Sequence, residues 1–172
     1  MLAARYNRPG HDIVDHRVFG ICSDGDLMEG VAQEAVSLAG HLRLGRITMV
    51  YDDNRITIEG DTGLAFSEDV AARFAAMGWH AQRLEDGWTL DDMRAALDAA
   101  LADERPSIIV TRTHIAPGAP TKQDTAEAHG APLGDEEIRQ TKAAYGWPEH
   151  ESFLVPDEVA AHMDRSAAGA AE

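Results

Sequence analysis

Apolar positions along the chain fall into two alternating patterns. Short runs rich in β-branched and aromatic side chains read as strands: Arg17 to Cys22, Ile47 to Tyr51, Trp79 to Leu84 and Ser107 to Thr111. The last run is apolar enough to lie in the middle of a sheet. Helical spacing separates them. In Glu29 to Leu44, Val31, Ala35, Leu38 and Leu42 share one face, and Ala32 and Val36 widen it. That predicts a helix buried on more than one side and ended by Gly45. Ser67 is placed to cap a helix reaching Met77, with Gly78 as its stop. Thr89 to Asp103 predicts a helix whose Thr89, Asp91 and Asp92 suit its N-terminal dipole. Pro106 separates it from the fourth strand. His114 to Pro132 is rich in Pro, Gly and polar residues and reads as a long loop, of the kind that is usually functional. Asp135 to Tyr145 and Asp157 to Met163 read as short helices. The alternation predicts an α/β fold: a three-layer architecture, with a parallel sheet and helices on both faces.

Composition narrows the classes. At 172 residues the chain has the size of one domain, expected over 1–166 with a disordered tail at 167–172. A formal net charge of −15 argues against nucleic acid or an anionic membrane as partner. No apolar run approaches the roughly 20 residues of a membrane helix, and Met1 to Arg5 lacks the apolar core of a signal peptide. The single Cys22 excludes an internal disulfide, fits a reducing cytoplasm and lies in an apolar strand, where a structural role is expected.

Chemistry concentrates at two strand ends. Cys22-Ser23-Asp24-Gly25-Asp26-Leu27-Met28-Glu29-Gly30 follows the first strand, and Tyr51-Asp52-Asp53-Asn54-Arg55-Ile56 closes the second. Ligands of open α/β sheets bind outside the carboxyl ends of strands. Asp24 offers a carboxylate, Asn54 an amide oxygen and Ile56 a backbone carbonyl, the oxygen donors that Mg2+ shares with phosphate. Gly25 lets a phosphate approach its backbone closely, and a helix starting near Glu29 would aim N–H groups at the same anion. The same residues also make an ordinary turn and an ordinary loop, and residues alone leave both readings open. A calcium loop does not fit, because Met28 stands where an oxygen ligand is required and Glu29 where a glycine is required.

These segments resemble the transketolase family. The likeness runs through Asp24 to Gly30, Glu34 to Gly40 and Tyr51 to Thr62, then Arg73-Phe74, Gly78-Trp79-His80 and Arg105-Pro106-Ser107. It resumes at Pro120 to Thr125 and at Ala128-His129-Gly130-Ala131-Pro132-Leu133-Gly134, and Asn7 to His16 is similar to the family's lead-in. The resemblance implies the thiamine diphosphate-binding fold, with thiamine diphosphate and Mg2+ as cofactors. It implies that Asp24 and Asn54 ligate the metal through side chains and Ile56 through its carbonyl. Gly25 would contact the diphosphate, with Asn54 and Glu29 also part of the cofactor site. Glu29 would sit in a polar network near the subunit boundary of a dimer. His129 would lie near the diphosphate and the sugar, binding substrate or moving protons. The implied reaction moves a two-carbon ketol unit from a ketose phosphate to an aldose phosphate, the cofactor carrying the carbanion chemistry.

Two features depart from the family pattern. Ser23 stands where it usually has a glycine. The resemblance also covers only part of a family polypeptide. The expectation is a partial domain, supplying the diphosphate and metal half of a site. A pyrimidine-binding half, or a homodimer partner, would supply the glutamate that activates the cofactor. The alternatives are a dihydroxyacetone synthase or deoxyxylulose-phosphate synthase type of ketol transferase, or a non-catalytic interaction subunit. His11, Asp12, Asp15 and His16 read as a solvated lead-in, since their spacing does not place all four on one face. His114 reads as a packing or hydrogen-bonding residue, and Trp79, Trp88 and Trp147 as packing.

Overall fold

The computed structural model describes residues 2–169. In chain order its helices are α1 (Leu2–Tyr6), α2 (Asp24–Met28), α3 (Gly30–His41), α4 (Val70–Ala76), α5 (Leu90–Ala102), α6 (Glu127–Gly130), α7 (Asp135–Ala144), α8 (Asp157–Met163) and α9 (Ser166–Gly169). The strands are β1 (Val18–Ser23), β2 (Ile47–Asp53), β3 (Ile56–Thr57), β4 (Gly60–Asp61), β5 (His80–Leu84) and β6 (Ser107–Arg112). Four strands form one parallel sheet in the order β1-β2-β6-β5, and β3 and β4 make a separate antiparallel pair. As the sequence predicts, β6 is central, and Ile108 and Ile109 are fully buried. Of the tail expected at 167–172, Ala167 to Gly169 belong to the helical turn α9, and 170–172 lie outside the described residues.

Helices cover both faces. On one, Ile108 and Val110 join Cys22 and Tyr51 of the sheet with Leu27, Ala39 and Phe74 from α2, α3 and α4. Phe74 meets Trp79 edge-on at 5.1 Å, and the Trp79 indole N–H donates to the Val36 carbonyl at 2.9 Å. Burying a side chain of this kind stabilises by roughly 3 kcal/mol. On the other face α5 lies over β5 and β6. Its Ala96 and Ala100 are buried, and the Ala96 carbonyl accepts from Gln82 at 2.9 Å. Thr89 and Asp92 cap α5 reciprocally.

Several local readings are corrected. The helix predicted from Glu29 is α3, which starts one residue later at Gly30 because Glu29 is extended (φ −69°, ψ 134°) and joints it to the separate short α2. It packs by its narrow row, with Ala39 and Gly40 buried and Ala32 and Val36 half-buried, whereas Val31, Leu38 and Leu42 are exposed. Small residues let α3 approach closely; large ones on that side would hold it off. The helix ends at His41, before Gly45. Gly45 is needed for another reason: a Cβ there would lie 2.2 Å from the Glu104 carbonyl oxygen. Asp69, not Ser67, caps α4, accepting from the Ala72 N–H at 2.9 Å. Cys22 packs in the core, where burial first, then Asp26 and Asp24, push its thiol up to about 12. That keeps it protonated and unreactive at neutral pH.

The long loop after β6 is tied down along its length. Glu137 of α7 accepts from the Thr121 and Lys122 N–H groups at 2.7 and 2.9 Å. His114 Nδ1 lies 2.8 Å from Asp124, and its Nε2 lies 3.2 Å from Asp86, so one imidazole bridges the loop to the turn after β5. The hydrogen bonds to Asp124 and then Asp86 raise the His114 pKa above its ordinary value. A raised histidine pKa stabilises the fold fully below the unfolded value of about 6.5 and is lost as pH rises through the folded value. The melting temperature of the parent should therefore exceed that of His114→Asn most at pH 5.5 to 6 and converge with it towards pH 8.5. A difference independent of pH would contradict the bridge.

Candidate functional site

The two strand ends come together because β1 and β2 are adjacent and parallel. Their register sets Cys22 beside Tyr51 and Ser23 beside Asp52, so Asp24 starts α2 directly above Tyr51. Ser23 has extended backbone angles (φ −121°, ψ 179°), which any residue adopts. Its N–H and hydroxyl both donate to Asp26 Oδ2, at 2.9 and 3.0 Å. Serine in place of glycine thus imposes no backbone strain, and its hydroxyl adds a bond to Asp26.

Asp24 is the unusual group. It is 2% exposed. The Tyr51 hydroxyl, itself buried, donates to Asp24 Oδ1. Asp24 Oδ2 is buried with no hydrogen-bond partner. Burial raises the Asp24 pKa; the Tyr51 hydrogen bond opposes this, and Asp53 and Asp52 add to the rise. Burial and the same hydrogen bond raise that of Tyr51. A buried carboxylate oxygen without a partner is costly, and a cation would relieve that cost.

Asn54 closes β2 in a tight loop. Its Oδ1 accepts from the Ile56 N–H at 2.9 Å and its Nδ2 donates to Asp52 Oδ2 at 3.1 Å. Asp52 Oδ1 in turn accepts from the Thr113 hydroxyl, just beyond β6. A cavity of about 400 Å³ opens over these groups, lined by Asp24, Gly25, Glu29, Asn54, Ile56 and His129 among others. All six residues singled out from sequence thus meet at one cavity. His129 reaches it on the single turn α6. At Gly25 a Cβ would meet nothing within 4 Å and would project into open space.

The walls are acidic. Asp24, Asp26, Glu29 and Glu59 line the cavity, and no Lys or Arg does among the described residues. Such a surface repels a bare diphosphate and accepts one bridged by a divalent cation. A cavity of about 430 Å³ under α3, walled by residues such as Leu27, Val36, Met49 and Trp79, is almost wholly apolar and holds no such chemistry. Tyr51, Asp52 and Thr113 have no role that the sequence alone assigns. The first two were visible as part of the strand-end motif, on opposite faces by strand alternation. Thr113 carried no signal, since only the β2–β6 pairing places it.

Comparison with known proteins identifies the family. The family model for the transketolase thiamine diphosphate-binding domain matches residues 1–172. The chain is 52% identical over 164 residues to a transketolase of Halalkalibacterium halodurans, covering 95% of this chain and 25% of that one. It superposes on the transketolase from Leishmania mexicana with a TM-score of 0.89 at 43% identity, covering 99% of this chain and 26% of the other. A transketolase from Pichia stipitis in complex with sedoheptulose-7-phosphate gives 0.88 at 41% identity, over 98% of this chain and 25% of the other. The chain spans about a quarter of the length of these relatives. With its parallel α/β sheet and this strand-end site, the chain belongs to the transketolase family, within its thiamine diphosphate-binding domain.

Proposed function

We propose that this chain supplies the diphosphate- and metal-holding half of a transketolase-type site, which moves a two-carbon ketol unit from a ketose phosphate to an aldose phosphate. The observation that carries this reading is the partnerless, buried Asp24 Oδ2 beside a cavity shared with Asn54, Ile56, Gly25 and His129. In this reading Asp24, Asn54 Oδ1 and the Ile56 carbonyl hold Mg2+. The Gly25 N–H donates to the diphosphate. His129 stands over the cavity, where it binds the sugar or moves a proton at its hydroxyl. Thiamine diphosphate, when bound, supplies the carbanion chemistry; the chain's part is to hold and orient. Glu29, at the joint between α2 and α3, belongs to a polar network at a subunit boundary. The exposed Val31, Leu38 and Leu42 on the outer side of α3 support a partner there, a homodimer subunit or the pyrimidine-binding half. The glutamate that activates the cofactor comes from outside these residues.

Thiamine diphosphate with Mg2+ should raise the melting temperature of the chain. A ligand at 100 times its Kd contributes about 2.7 kcal/mol, or roughly 5–10 °C for a domain of this size. Asp24→Ala should abolish the shift. A parent that is folded by circular dichroism and shows no shift at millimolar cofactor would contradict the proposal.

The chain alone should show no measurable transfer from xylulose 5-phosphate to ribose 5-phosphate in a coupled assay. Addition of a pyrimidine-binding half in trans should start turnover, and His129→Ala should lower it roughly a hundredfold, the scale of lost acid–base assistance. Robust turnover by the 172-residue chain by itself would sink the half-site reading.

A further inference from the structure

An asparagine serves a cation only through its oxygen, because its NH2 group is a donor. A half-turn of the amide exchanges the two at almost no change of shape, so a ligating asparagine needs neighbours that decide its face. Here the decision is made partly by the Ile56 N–H, which donates to Oδ1 at 2.9 Å. The other part is Asp52. An ionised carboxylate accepts and does not donate, so Asp52 Oδ2 holds Asn54 Nδ2, at 3.1 Å, and would repel the flipped oxygen. Asp52 is itself fixed, since its Oδ1 accepts from the Thr113 hydroxyl. Each Asp52 oxygen is thus already engaged, which suits a support better than a ligand. Thr113 is anchored in turn by its N–H, which donates to the Asp53 carbonyl at 3.2 Å. It is also the first residue of the segment that leads to His129.

We propose that Asp52, held by Thr113, is a positioning residue that keeps the Asn54 amide oxygen turned towards the cation site. The same bonds tie that ligand to the root of the loop bearing His129. This rests on the reading of Asp24 and Asn54 as metal ligands. Outer partners of metal ligands are commonly worth 10- to 100-fold in affinity.

The test uses Mn2+ with thiamine diphosphate on the purified chain, with free Mn2+ followed by electron paramagnetic resonance. Asp52→Asn keeps the shape of the side chain but can accept or donate towards Asn54. It should weaken Mn2+ at least about tenfold, with the metal-free melting temperature within a few degrees of the parent. In 15N spectra of the metal-free chain, the Asn54 side-chain amide should lose protection from exchange in that variant. A merely structural role would move the melting temperature and leave this amide signature alone. Should Asp52→Asn fail to fold, Thr113→Val carries the test and should weaken Mn2+ severalfold. A parent that binds Mn2+ alongside a folded variant that binds it equally tightly would overturn this inference alone. A parent that binds no Mn2+ would overturn the ligand reading and this inference with it.

Discussion

One buried carboxylate organises this end of the molecule. Asp24 is held between the ends of two parallel strands, with one oxygen bonded to Tyr51 and the other bonded to nothing. Leaving a buried charge without a counter-charge costs on the order of 3–5 kcal/mol. No Lys or Arg among the described lining residues offsets it, and Asp52 and Asp53 add to the negative field. Proteins retain such expense where function requires it. A divalent cation would turn the cost into binding free energy and would also let an acidic cavity take a diphosphate.

The sheet makes this arrangement possible. Parallel pairing of β1, β2 and β6 brings three strand ends to one edge. Ser23 and Asp24 follow β1, Asp52 to Asn54 close β2, and Thr113 follows β6. The central β6, sealed by α4 on one face and α5 on the other, gives these ends a rigid base. The outer parts are less covered. Phe19 and Ile21 on edge strand β1 are exposed, as is the outer side of α3.

Much of this was legible in the sequence, for physical reasons. The strands announced themselves because buried parallel strands need continuous apolar runs, as in Ser107 to Thr111. Asp24 and Asn54 stood out at two strand ends as candidates that the residues alone left open, and it was the family resemblance, supported by the long loop after β6, that pointed to His129. What was not legible depended on competition or on tertiary register. Ser67 and Asp69 can both cap a helix, and Asp69 prevails where it accepts from Ala72 N–H while pairing with Arg83. The apolar width of Glu29 to Leu44 could not say which side packs; the small residues Ala39 and Gly40 decided it, since a Cβ on Gly40 would lie 1.8 Å from the Met77 carbonyl oxygen. The serine that breaks the family pattern could be judged harmless to the backbone only from its extended φ and ψ. Tyr51, Asp52 and Thr113 gained their roles only when the strands were paired.

The most direct test of the account is the position of the metal. Crystals of the chain grown with Mn2+ and thiamine diphosphate, measured for anomalous scattering, locate it without reference to activity. The account predicts one strong peak within ligating distance, roughly 2.0–2.3 Å, of Asp24 Oδ2, Asn54 Oδ1 and the Ile56 carbonyl oxygen. A peak bound elsewhere, with Asp24 Oδ2 still partnerless, would contradict it.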